Sequence, residues 1–134
     1  MNSLTTTWAP RLLSILRIVT GLIFTIHGMQ KLLGFPASER GLAELFSLSW
    51  WAGALELVGG PLIVLGLLTR PVAFILAGEM AFAYFLAHAP QSFFPAVNRG
   101  DAAILYCFIF LYLSAAGPGP WSLDEGFGKD REIA

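Results

Sequence analysis

Long apolar stretches organise this sequence. They lie at roughly 12–33, 50–68, 71–89 and 101–116, and the last is the shortest. A helix rises 1.5 Å per residue, so about 20 mostly apolar residues cross the hydrocarbon layer of a bilayer. The pattern therefore predicts an all-α membrane protein, a bundle of four transmembrane helices. Pro10 suits the start of the first helix. Gly34-Phe35-Pro36, Thr69-Arg70-Pro71, Ala89-Pro90, Asn98-Arg99-Gly100 and Gly117-Pro118-Gly119-Pro120 supply the breaks. Between the first two spans, 37–49 carries Glu39, Arg40 and Glu44 among apolar residues. Leu42, Leu45 and Phe46 share one helical face there, which predicts a short helix lying in the interface. Trp50, Trp51, Phe93, Phe94 and Trp121 fall at span ends, where aromatic side chains anchor to the membrane surface. The tail, 117–134, is polar at its end and expected to be mobile.

Composition agrees with this pattern. Apolar residues make up 56% and charged residues 13%, with a mean hydropathy of +0.68. Soluble domains carry about 25% charged residues, so too little polar material remains to face water. At 134 residues the chain is expected to form a single membrane domain, 1–134. The first apolar run is long, lacks a small-x-small cleavage site and is followed by Lys31, so it reads as a retained span. A net charge of −1 argues against nucleic-acid binding. Cys107 is the only cysteine, which excludes an internal disulfide and a Cys-x-x-Cys pair. Any electrons handled here must travel on an external cofactor. Four spans place both termini on one side, with Arg11, Arg70, Lys129 and Arg131 against Lys31, Arg40 and Arg99. The excess of one positive charge favours cytoplasmic termini.

Ionisable residues inside such spans are costly and normally face the bundle interior. Arg17, His27, Glu56 and Glu79 form the expected buried polar core, while Lys31, His88 and Asp101 gather toward the far interface. Depth counted along the helices suggests that Arg17 pairs with Glu79 and that His27 lies near Glu56. Gly53, Glu56, Gly59 and Gly60 share a small-residue face that invites close helix packing, or a homo-oligomer contact. Glu79 and His88 are nine residues apart, so His88 reaches Glu79's side only if its helix bends. Phe24-x-x-His27 and Phe85-x-x-His88 hint at two hairpins arranged alike.

Arg17 through Lys31, Glu56-x-x-Gly59-Gly60 and Gly78-Glu79-Met80-x-x-Ala83-Tyr84-x-x-x-His88-Ala89-Pro90 resemble the DoxX family. So do Phe94-Pro95-x-x-Asn98-x-Gly100-Asp101, Tyr106-Cys107-Phe108 and Gly117-Pro118-Gly119-x-Trp121-Ser122-Leu123-Asp124. The order and spacing of these pieces carry the resemblance, from about Arg17 to Asp124. It implies a four-helix protein of the bacterial or archaeal inner membrane, similar to the small membrane subunit of an archaeal thiosulfate:quinone oxidoreductase. Position 101, often Glu in such sequences, is Asp here. The resemblance brings no established catalytic residue with it.

Three functional readings fit. The first is a membrane subunit that binds a quinone and works with a soluble or membrane oxidoreductase. Quinone reduction consumes protons, and His27, Lys31, His88, Asp101 and Tyr106, with Glu56 deeper, supply proton donors. The second is a scaffold that brings a soluble enzyme to the membrane, with a purely structural polar core. The third is a small dimeric proton-coupled transporter using Glu56 or Glu79. Haem ligation by His27 and His88 lacks a supporting pattern, and no metal-binding spacing or phosphate loop is present. Whether the protein is itself an enzyme stays open at this stage.

Overall fold

The computed structural model describes the backbone of residues 2–133 and the side chains of residues 4–128. The chain is helical, with no strand among the described residues: α1 Asn2–Leu33, α2 Leu48–Leu65, α3 Thr69–Ala83, α4 Pro95–Asn98, α5 Asp101–Ala116 and α6 Leu123–Ile133. Helical winding continues beyond α3 through a π-turn at Tyr84–His88 and a 3₁₀ turn at Ala89–Gln91. Three helical stretches, Leu4–Leu33, Leu48–Leu65 and Thr69–Gln91, are long and apolar enough to cross a membrane, and Asp101–Ala116 is apolar but shorter. Large apolar side chains cover the outside. Val19, Leu22 and Ile23 of α1, Val58 of α2, Phe74 and Phe82 of α3, and Leu105 and Phe108 of α5 are all exposed. In water this surface would aggregate; in lipid it is solvated.

α1 packs along α2, α3 packs along α5, and α2 meets α3 over a shorter stretch. Glycines draw the first pair together. A β-carbon at Gly28 would stand 2.5 Å from the Leu57 nitrogen, and one at Gly60 would stand 2.9 Å from the Thr25 nitrogen. Helix backbones in lipid gain contact by approaching this closely, because side-chain burial from water is not available there. An aromatic seam fills the space between α1 and α5. Phe24 lies edge-on to Phe110 with ring centres 4.8 Å apart, and 5.2 Å from Tyr106. Phe24, Ile63, Leu76, Phe110 and Leu113 are buried at the centre.

Four sequence expectations need correction. First, α1 begins at Asn2, not near residue 12, and Pro10 lies inside it. A proline removes one donor from the helical ladder, and here that loss falls near the exposed N-terminal end. Second, no separate helix forms over 37–47, and residues 48 and 49 already belong to α2. Gly41 and Phe46 adopt left-handed backbone angles (φ 66° and 61°), and the Ala43 N–H bonds the Lys31 carbonyl at 2.8 Å, folding the segment back over the end of α1. The next helix starts only where the Ser47 hydroxyl accepts the Trp50 N–H. Third, the predicted span at 71–89 starts two residues earlier and changes winding at Tyr84.

Fourth, the segment after α5 is not free. Gly117 to Asp124 forms a clasp over the α2–α3 turn. That turn is only three residues long. Gly66 (φ 66°) and the Leu67 N–H, which bonds the Leu62 carbonyl, close α2, and Leu68 (φ 51°) leads into α3. Asp124 caps α3, its carboxylate accepting the N–H groups of Leu68 and Thr69 at 2.8 Å each. Burial opposes the Asp124 charge, but these bonds and the nearby Arg17 outweigh it and hold its carboxyl below the usual range. A depressed carboxyl stabilises the fold above its unfolded pKa and loses that contribution as pH falls through the folded value. Thermal stability is therefore expected to drop below about pH 4, and less so in Asp124→Asn. Melting curves of both proteins across pH 3–7 test this.

Candidate functional site

Arg17 is fully buried. It does not pair with Glu79. Its Nε donates to the Pro118 carbonyl at 2.8 Å and Nη1 to the Ile63 and Val64 carbonyls at 2.6 Å each, while Nη2 donates to the Trp121 carbonyl. The guanidinium thus satisfies the open C-terminal carbonyls of α2 and complements the negative end of its dipole. Counting depth along straight spans missed this because the acceptors are main-chain atoms, which every residue carries. Arg70 serves α5 in the same way, donating to the Ser114 and Ala115 carbonyls.

The polar site lies elsewhere in the bundle. Lys31 of α1 donates to Glu56 of α2 at 2.6 Å, a direct ion pair. Glu56 is buried, and its second carboxylate oxygen has no hydrogen-bond partner. Glu79 of α3 lies within electrostatic reach of both Glu56 and Lys31. Both Glu79 carboxylate oxygens are buried without a partner. Tyr106 of α5 is in electrostatic reach of Glu56. Each of the four long helices thus contributes one ionisable side chain to a common interior.

His27 is exposed and does not take Glu56, because Lys31, one turn further along the same helix, reaches it first. The His27 ring instead meets Tyr106 edge-on, with centres 6.1 Å apart. His88 does turn, as a bend requires. The Ala89 N–H bonds the Tyr84 carbonyl five residues back, so the helix is underwound over this stretch. The turn carries His88 not to Glu79 but to the Asn98 carbonyl, 2.9 Å from its Nδ1. Asp101 is exposed in the first turn of α5. Of the residues expected near a quinone, Lys31, Tyr106 and His27 adjoin the cluster, while His88 packs against α4. No group of three or more metal-ligating side chains gathers among the described residues.

An apolar groove of about 360 Å³ opens between α2 and α3, lined by Trp51, Leu55, Val58 and Gly59 on one side and Val72 and Leu76 on the other. Gly59 is three residues after Glu56, and Leu76 three before Glu79. In a helix, residues three apart are neighbours on one face. Each carboxyl thus stands about one turn along its helix from a groove-lining residue, although neither lines the groove itself.

The family model for DoxX matches residues 12–89. An uncharacterized protein of Haemophilus influenzae is 43% identical over 129 residues, covering 91% of this chain and 95% of the relative. The inner membrane protein YphA of Escherichia coli is 32% identical over 131 residues, covering 87% and 90%. CatD of Bacillus subtilis, named as a candidate oxidoreductase, is 36% identical over 66 residues, about half of each chain (47% and 49%). No solved structure matches the chain.

Proposed function

Because the chain belongs to the DoxX family, whose relatives include named membrane proteins, we propose that it is a membrane subunit of an oxidoreductase system that binds a quinone. Glu79 carries this reading: a buried carboxyl without a hydrogen-bond partner, beside the Lys31–Glu56 pair and one helical turn along α3 from the groove-lining Leu76. One cation cannot neutralise two carboxylates, and an unpaired charge shielded from water is strongly disfavoured. The cluster balances its charge by holding a proton on one of its two carboxyl groups. That proton is available to a ligand whose reduction requires one.

A quinone becomes a quinol by taking two electrons and two protons. In this reading the electrons come from a partner oxidoreductase, and a quinone tail lies in the α2–α3 groove with its head toward Glu79. Pockets for such ligands are mostly apolar with a few polar groups that set orientation. Tyr106 and Lys31 supply further donors on the opposite side of the carboxyl pair. We further take α5 to cross the membrane as a fourth span within one domain, with both termini cytoplasmic in a bacterial inner membrane. Its 16 residues cover about 24 Å, and local thinning of the bilayer accommodates the remainder.

Titration of the purified protein with a short-chain ubiquinone tests the reading. Saturable binding is expected, weakened about tenfold by Glu79→Leu, which removes the hydrogen-bond donor at similar volume. Ala54→Phe, which fills the groove, should weaken it comparably while leaving the helical circular dichroism unchanged. No saturable binding to the wild-type protein would end the quinone reading. If a soluble enzyme still co-purifies in that case, the protein acts as a scaffold.

A further inference from the structure

A second cavity, of about 240 Å³, lies apart from the carboxyl cluster. Three separate segments build it: Arg40 from the α1–α2 connection, His88 and Gln91 from the end of the helical stretch after α3, and Asn98 and Arg99 from α4. Its lining holds two guanidinium groups, an imidazole and two amides, with no carboxylate. Neither Arg40 nor Arg99 has an ion pair or side-chain hydrogen bond among the described residues. By contrast, Arg17 and Arg70 are tied to main-chain carbonyls and Arg11 lies over the Trp8 ring.

The remaining polar groups are fixed in place. Asn98 is buried, donating to the Ser92 carbonyl at 2.8 Å and accepting the Gly100 N–H at 2.7 Å. Its carbonyl faces His88 Nδ1. A carbonyl can only accept, so Nδ1 carries the hydrogen, and Nε2 of the neutral ring is an acceptor open to a hydroxyl of a protonated phosphate or of a glycerol headgroup. Arg99 itself sits in the left-handed region (φ 59°) at the end of α4. This conformation crowds the β-carbon of an L-residue against the following carbonyl and is adopted routinely only by glycine and, less often, asparagine or aspartate. Strain of this kind persists where surrounding structure fixes it, and it often marks a functional position.

We propose that this cavity is a binding site for a phosphoryl oxyanion, gripped by Arg40 and Arg99 and oriented by His88. Two unpaired guanidinium groups on one small cavity match the forked geometry of phosphate oxygens. The volume suits a small group and not a large organic ligand, whose pockets start near about 300 Å³. The cavity stands at the end of the bundle where the α1–α2 connection meets α4, and a phosphate reaches it either free in solution or as the headgroup of an anionic lipid. This inference does not rest on the quinone reading, since the two sites share no residue.

Two measurements on the full chain separate these sources. Calorimetric titration of inorganic phosphate into protein in a neutral detergent tests for a free anion. Native mass spectrometry after extraction from bilayers of equal phosphatidylglycerol and phosphatidylcholine tests for a headgroup. We expect saturable phosphate binding, or retention of phosphatidylglycerol over phosphatidylcholine, and either signal should weaken about tenfold in Arg99→Gly and in Arg40→Ala. Arg99→Gly should melt at the same or a higher temperature than wild type, because glycine relieves the left-handed backbone. Absence of both signals, or signals that both variants leave unchanged, would overturn the proposal.

Discussion

Arg17→Ala is expected to lower thermal stability more than any other substitution of a charged residue in this protein. The side chain donates to four carbonyls from two segments far apart in sequence, at Ile63, Val64, Pro118 and Trp121. Truncation leaves the Val64, Pro118 and Trp121 carbonyls without this donor and Ile63 with only the Gly66 N–H, and removing one partner of a buried charged network costs about 3–5 kcal/mol. Arg17→Lys should recover only part of the loss, because an ammonium cannot reproduce the planar fork that spans both segments. Space alone does not admit a rearrangement: a β-carbon at Gly66 would stand 2.6 Å from Nη1, so the turn is already closed around the guanidinium. Unfolding in detergent, followed by circular dichroism, measures the effect. A melting temperature within a few degrees of wild type for Arg17→Ala would show that the clasp is not a principal support of the fold.

Gly28→Leu is expected to disrupt the α1–α2 pair. The first added carbon would meet the Leu57 nitrogen at 2.5 Å and the Gly53 carbonyl at 2.8 Å. Both are main-chain atoms of a regular helix and cannot rotate away, so the helices must separate. Separation also stretches the Lys31–Glu56 pair one turn further along. Overpacking of a tight core costs about 1–3 kcal/mol or more, and this site should fall at the upper end. Gly78→Ala provides the contrast. Nothing lies within 4 Å of the β-carbon it would add, and helix propensity favours alanine by about 1 kcal/mol. With one cysteine introduced into each of α1 and α2 and Cys107 replaced by serine, a disulfide that forms as fast with Gly28→Leu as without it would contradict the prediction.

The long helices were legible in the sequence because hydropathy answers directly to the solvent around them. The ends of α1 and α3, the partners of Arg17 and the form of the 37–49 segment were not. Each depends on main-chain atoms or on a single left-handed residue, such as Phe46 or Leu68, that leaves no compositional mark. Glu56 and Glu79 were legible as interior residues, since carboxyl groups in apolar runs have few other places to lie. Lys31 was placed toward the interface, yet its four-carbon stem carries the ammonium inward to Glu56. Gly21 and Gly28 are spaced small residues in α1, but only their close approach to α2 distinguishes them from other small residues in a span. Asp124 sits in a stretch that reads as a tail, and only its bonds to Leu68 and Thr69 mark it as a cap.

The clasp also bears on how the protein is made. Arg17 leaves the ribosome more than a hundred residues before Trp121. During most of synthesis its Nη1 can meet the Ile63 and Val64 carbonyls, while the acceptors for Nε and Nη2 do not yet exist. The helices α1 to α5 are therefore made before the lock is complete, and a stretch translated after all of them secures the first helix. A chain cut shortly after Ala116 keeps its greasy helices but loses the Pro118 and Trp121 acceptors, and is expected to hold its first helix more loosely.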